Sequence, residues 1–216
     1  AIFIGTGTWN PRKLKIKGEA LGNVHYAIDY LKSPEYYKLG NKIIIIGAGN
    51  VAVDAARTMI RNGAKEVIIL NREGESGITA NKREFNDAVA EGLQVLNFKS
   101  VLEIKDDGVV LANTEIVEKD GNIDYDIDYS TERFYKCDSV VVAISQGPRS
   151  NIVSTNKDLE INEKGLIITN MDGSTTKKGV FSGGDVVTGA KTVVEAVKMS
   201  KIIAEKMDEY LKEEFN

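Results

Sequence analysis

The sequence predicts an α/β fold, a parallel sheet with an antiparallel meander inserted, on three observations. The run Lys42-Ile43-Ile44-Ile45-Ile46 enters a glycine turn, as a strand buried on both faces does. An alanine-rich segment of helical spacing and a second apolar run, residues 66–70, complete a β-α-β unit. After Gly92 the residues alternate and are broken by Asp107-Gly108 and Asp120-Gly121, both strong hairpin dipeptides.

The elements follow in order. Residues 1–7, AIFIGTG, read as a buried strand entering a glycine turn, and residues 11–19 as a basic loop with a solvated face. Residues 24–31 read as a short helix and residues 32–41 as loop. In the helix that starts at Asn50, Val51, Ala52, Ala55, Ala56, Met59 and Ile60 share one face, and Gly63 stands where it stops. Residues 66–70 form the next strand, and residues 81–91 a further helix closed by Gly92. The meander extends to about Lys136. Residues 139–145, SVVVAIS, return as a buried strand, followed by the strands GLIITN and GVFSGG. A final helix starts at Thr192, where Thr192-Val193-Val194-Glu195 has capping-box form. Its expected inner side is Val193, Val197, Ala204, Met207 and Leu211. IFIGTG and VVVAISQG echo each other, each reading as the last strand of a Rossmann-like unit where the chain crosses between domains.

Composition excludes several classes. A 216-residue chain with net charge −4 and 42% apolar residues is an ordinary soluble globular protein, neither disordered nor suited to nucleic acid. No apolar run approaches the roughly 20 residues of a membrane-spanning helix. The single Cys137 excludes an internal disulfide framework and a C-x-x-C pair, and it suits a reducing cytoplasm. No metal site and no catalytic side chain are read: Cys137 is a small packed residue, and His25, the only histidine, has no partner pattern. Trp9, Tyr125 and Tyr129 read as packing or meander surface. The chain opens at Ala1, in mid-strand, so a longer polypeptide is expected.

The glycine turn carries the chemistry. In Gly47-x-Gly49-x-x-Ala52 the first glycine permits the tight turn, the second lets backbone approach a pyrophosphate, and the small third residue lets helix pack on strand. The amides of Asn50 and Val51 then point at negative charge. The strand before it and the helix after it are the context a dinucleotide fingerprint needs. The bland alternative is a turn whose glycines serve only packing. An acid at the end of the next strand would bind the ribose of NAD(H), whereas an arginine suits the 2′-phosphate of NADP(H). Here Asn71 holds the acid's place, and Arg72 can make a bidentate phosphate contact. Lys82 and Arg83 can add charge, while Glu73 repels a phosphate. NADP(H) leads and NAD(H) stays open; a plain surface arginine is the alternative for Arg72.

The stretches AIFIGTGTWNPRKLKIKGE, CDSVVVAISQGPRSN and KGVFSGGDVVTGAKTVVEAVKMSKIIAEKMDEYL together resemble the small (beta) subunit of glutamate synthase. The flavin subunits of ferredoxin-linked NADP oxidoreductases are relatives of it. The resemblance runs nearly the full length. It implies an FAD domain interrupted by a Rossmann-like NAD(P)H-binding domain, as in flavoproteins with two dinucleotide-binding domains. Residues 1–23 would be the FAD-domain closing segment and crossover, 24–147 the NAD(P)H domain, and 148–216 the C-terminal part of the FAD domain. The glycine turn at Gly5 and Gly7 would belong to the flavin side. Gly184 and Asp185 would lie in the second FAD fingerprint, with Asp185 on the ribityl chain, and Thr192 and Val193 would begin a helix beneath the isoalloxazine ring. The first FAD fingerprint and a cysteine-rich iron–sulfur region are expected upstream. Implied further are hydride transfer from NAD(P)H to flavin and a partner that is a glutamate synthase large subunit or a ferredoxin-type acceptor. A non-catalytic nucleotide-binding module is the alternative from another class. The chain departs from the family at Glu73 and Asn81, where arginines are common, and at Lys17, where a proline is expected.

Overall fold

The structure, a computed structural model, describes residues 1–119, 122–148, 155–156 and 158–215. The chain forms two compact units, Lys13–Ser145 and Ala1–Arg12 with Gln146–Asn216. Residues 13–23, grouped with the flanking pieces in the sequence reading, fall in the former, where Leu14, Ile16 and Leu21 pack on a core and the lysines between them are exposed.

The first strands lie in the flanking unit: β1 (Ile2–Ile4) and β2 (Asn10–Pro11). The inner unit is built on five parallel strands. These are β3 (Val24–Tyr26), β4 (Lys42–Ile46), β5 (Glu66–Asn71), β6 (Gln94–Asn97) and, after the meander, β10 (Ser139–Val142), in the order β3-β10-β4-β5-β6. Alternate residues face opposite sides. Ile43, Ile45, Val67, Ile69 and Val141 pack against helices α1 (Ala27–Lys32), α2 (Asn50–Arg61) and α3 (Lys82–Ala90). Ile44, Ile46, Ile68, Leu70 and Val140 pack against the antiparallel meander β7 (Lys99–Lys105), β8 (Gly108–Lys119) and β9 (Asn122–Lys136). Burial on both faces is why the strands read as unbroken isoleucine and valine.

Two expectations are corrected here. Residues 24–26 are a strand, pairing in parallel with β10, and the helix begins only at Ala27; Val-His-Tyr suits an edge strand, and no local signal marked the boundary. The first hairpin turns on Asp106-Asp107, and Gly108 already pairs with Lys105. The Asp120-Gly121 turn lies outside the described residues.

The flanking unit pairs β1 in parallel with β12 (Val180–Ser182) and β2 antiparallel with β11 (Gln146–Gly147). GLIITN makes single bridges, Ile161 to Ile167 and Thr169 to Thr175, with no continuous strand. Leu159, Ile167, Val180 and Val186 form its core. Helix α4 (Asp185–Thr188) precedes the long helix α5 (Val193–Phe215). The expected inner stripe of α5 is corrected in part: Val193 is 79%, Val197 50% and Leu211 40% exposed and Ala204 is exposed as well, while Met207 is half-buried. The packed side carries Met199, Ile203 and Tyr210 instead. Both stripes satisfy helical spacing, so period alone could not choose; the room above Gly173 and Gly183, filled by Ile203, chooses.

Candidate functional site

The site of the inner unit grows from the end of β4. Gly47 has φ +113°, and a Cβ there would stand 2.5 Å from the Ala143 carbonyl oxygen, so only glycine lets the turn pass beneath β10's exit. Gly49 is extended, and its carbonyl accepts from the Ala52 and Val53 amides at 3.0 and 3.2 Å, which starts α2. Among the described residues the amides of Asn50 and Val51 meet no acceptor. Ala52 is fully buried where the helix crosses the sheet. The turn therefore presents unspent donors at the positive end of a twelve-residue helix.

The loop after β5 brings cationic residues to this opening. The Ala48 carbonyl accepts from the Thr79 and Ala80 amides, both at 3.2 Å. Asn50 Oδ1 accepts from the Asn81 amide at 2.7 Å, and Asn81 Oδ1 caps α3 by accepting from Arg83 and Glu84 at 2.9 and 3.3 Å. The starts of α2 and α3 are thus joined, with Lys82 and Arg83 exposed beside the turn.

Asn71, which holds the acid's place at the end of β5, turns inward. It is 5% exposed, and its side chain is used inside the protein. Nδ2 donates to the Gly74 carbonyl and, at 3.1 Å, to Asn97 Oδ1, while Oδ1 accepts from the Glu73 amide at 3.2 Å. Arg72 points outward, its guanidinium 3.0 Å from Glu73 and over the ring of Tyr125. Tyr125 and Thr114, whose hydroxyl donates to the Arg72 carbonyl at 2.6 Å, come from the meander. Tyr125, expected as packing or meander surface, is half-buried against Arg72; a contact between residues so far apart in the chain leaves no local signal.

Acidic groups surround this arrangement. Burial raises the Asp54 pKa, and the Glu84 charge adds to it, against the pull of Arg57. Farther along, Glu91 accepts from Arg57 through both oxygens, at 3.1 and 2.7 Å, and from Arg61 at 2.7 Å. These donors hold its carboxyl down at about 2.

In the flanking unit β1 and β12 run side by side, so the turns at Gly5 and Gly184 leave the same end of the pair. Ser182 Oγ and the Gly183 amide donate to the Ile4 carbonyl at 2.9 and 3.3 Å. Gly7 lies against the Trp9 indole. Gly184 has φ +74° and open space where a Cβ would be, and it leads into Asp185, whose Oδ1 accepts from the Lys191 amide at 3.2 Å. Thr192 and Glu195 form the capping box: Glu195 Oε2 accepts from the Thr192 amide at 3.1 Å, and Thr192 Oγ1 accepts from the Glu195 amide at 3.3 Å. Val193 follows, exposed.

Burial pushes the Cys137 thiol up to about 12, and His25, packed edge-on to Tyr37, is held below its usual pKa by desolvation. Among the described residues no cluster of His, Cys, Asp and Glu could hold a metal ion, and no helix is long and apolar enough to cross a membrane.

Residues 1–200 match the family described as pyridine nucleotide-disulphide oxidoreductase. The glutamate synthase [NADPH] small chain of Halomonas elongata is 30% identical over 98% of this chain and 50% of its own length. The NADP(+)-dependent formate dehydrogenase subunit beta of Moorella thermoacetica is 31% identical over 99% of this chain and 32% of its own length. The chain thus spans half or less of these curated relatives. Among solved structures, FprA from Mycobacterium tuberculosis in complex with NADPH has a TM-score of 0.76 at 18% identity, covering 99% of this chain and 64% of that one. Lactococcus lactis thioredoxin reductase has a TM-score of 0.75 at 24% identity, covering 99% and 66%. Both share the fold of the chain.

Proposed function

Because the chain belongs to the pyridine nucleotide-disulphide oxidoreductase family, we propose that it forms the NAD(P)H-binding portion, with closing segments of the FAD domain, of an electron-input flavoprotein subunit of glutamate-synthase type. The observation that carries this reading is the opening of α2, where the Asn50 and Val51 amides stand unspent beside exposed Lys82 and Arg83. Those amides would take the pyrophosphate, and Arg72 the 2′-phosphate of NADP(H). Gly47 and Gly49 bring backbone close enough for that contact.

Residues of the flanking unit fit one side of a flavin. Gly184 leaves open space for a ligand to meet backbone, and Gly5 leaves the same end of the strand pair. Asp185 would hold the ribityl chain, the Gly7 turn would line the site, and the start of α5 at Thr192 and Val193 would offer amides to negative charge. When bound, flavin supplies the acceptor for nicotinamide hydride and releases electrons singly. The chain's own task is then to bind and orient, and it needs no acid or base at the transferred hydrogen. The family name speaks of a disulphide, but one cysteine with a thiol pKa near 12 offers no redox pair.

The partner in this reading is a glutamate synthase large subunit, in the reducing cytoplasm. The formate dehydrogenase relative, as similar in identity, supports a second reading in which the partner is not a glutamate synthase large subunit; the resemblance itself offers a ferredoxin-type acceptor as that partner. Titrating the chain with NADPH and NADH by coenzyme fluorescence tests the core of both. Saturable binding that weakens in Arg72→Ala for NADPH is expected. No saturation by either coenzyme at millimolar concentration would favour a non-catalytic module that keeps only the fold.

A further inference from the structure

The Arg72 guanidinium is shared between two partners of opposite consequence. Its Nη2 donates to Glu73 Oε1 at 3.0 Å, and its Cζ lies 6.0 Å from the centroid of the Tyr125 ring on β9. Its backbone has little freedom. The Arg72 carbonyl accepts from Thr114 Oγ1 at 2.6 Å, and the neighbouring Asn71 side chain is locked to Asn97, Gly74 and the Glu73 amide. Only the long side chain can move between partners.

The two partners treat a phosphate differently. A carboxylate paired with the guanidinium must be displaced, and its charge repels the incoming group. An aromatic face offers no rival charge and leaves the N–H edge of a stacked guanidinium open. With the Asn71 amide used internally, Glu73 offers a carboxylate acceptor at this strand end for the 2′-hydroxyl of an unphosphorylated ribose.

Resting on the nucleotide-site reading above, we propose that coenzyme choice is set by competition between Glu73 and Tyr125 for Arg72. Tyr125 is a positioning residue that presents Arg72 to a 2′-phosphate. Glu73 draws Arg72 away and favours the unphosphorylated ribose. The inserted meander, through Thr114 and Tyr125, thereby takes part in selecting the coenzyme, and the chain accepts both NADPH and NADH with a narrow preference.

The test is the ratio of the NADPH Kd to the NADH Kd, measured on the full 216-residue chain. Glu73→Gln lowers the ratio about two- to fivefold, the scale of one exposed ion pair. Tyr125→Ala raises it about two- to fivefold, the scale of one exposed cation–π contact, and Tyr125→Phe restores it. A ratio unmoved by Glu73→Gln and Tyr125→Ala, while Arg72→Ala still raises it, overturns the competition and leaves the nucleotide site standing. A ratio unmoved by Arg72→Ala, or a wild-type chain that binds neither coenzyme, overturns the site reading and the competition with it.

Discussion

Asn50 and Asn81 join the openings of two helices: Asn50 Oδ1 accepts the Asn81 amide at 2.7 Å while Asn81 Oδ1 caps α3. This bond sets the basic start of α3 beside the free amides of α2. It is exposed to water, so Asn50→Ala costs only about 0.5–1 kcal/mol of stability. Its effect on coenzyme binding is larger in consequence, because Lys82 and Arg83 lose their fixed place. Both NADPH and NADH weaken in the fluorescence titration, NADPH the more, because Lys82 and Arg83 also add charge toward the 2′-phosphate. A stability loss with full coenzyme affinity would sever the link between this bond and the site.

Gly47→Ala is the sharper structural test. An alanine at φ +113° is strained, and its Cβ would meet the Ala143 carbonyl oxygen, a backbone atom that cannot swing away. A loss of about 2–3 kcal/mol is expected, read as a lower urea midpoint with an unchanged slope. A midpoint within error of wild type would mean that the turn does not hold this conformation.

The sheet was legible because the forces that build it are local in sequence. Ile43–Ile46 and Val67–Leu70 are apolar at every position, as burial on both faces requires, and Gly47 and Asn50 mark the turn and helix start. Most of the glycine-turn residues could therefore be named from spacing. What stayed hidden depends on partners distant in the chain. Asn71 stands at the end of β5 in the acid's place, yet Asn97 and Gly74 draw its amide inward. Tyr125 reaches Arg72 only because the meander folds back over the end of β5. Helix α5 is apolar on more than one side, and Ile203 rather than Val197 is buried because glycines at 173 and 183 leave room for it.

Cys137 offers a check on the core between sheet and meander. It is buried, with its pKa pushed up to about 12 by desolvation and the charge of Asp138. Almost no thiolate exists at pH 8 in the folded protein, against a sizeable fraction in an unfolded chain with its thiol near 8.5. Aromatic-disulfide titration at pH 8 should show no fast-reacting thiol until denaturant unfolds the inner unit, and then one equivalent. Immediate reaction of the native protein contradicts this packing.

The Arg57–Glu91–Arg61 cluster predicts where acid loosens α2 from the end of α3. Its folded-state carboxyl, at about 2, lies below the ordinary value of 4.5, so the folded protein favours the ionised form. The stabilisation is therefore fully present above about pH 4.5 and declines as pH falls toward 2, where Glu91 takes up its proton in the folded state too. Arg57 supplies the largest share through its two hydrogen bonds. Comparing urea midpoints of wild type and Glu91→Gln across this range isolates the effect from other carboxylates that titrate in both proteins. The two curves should stand apart at pH 6 and converge as the pH approaches 2. Because the carboxylate and both guanidinium groups retain contact with solvent, the gap should also shrink in high salt. A gap that is constant from pH 6 to pH 2 would assign the role of Glu91 to side-chain packing, with its charge irrelevant.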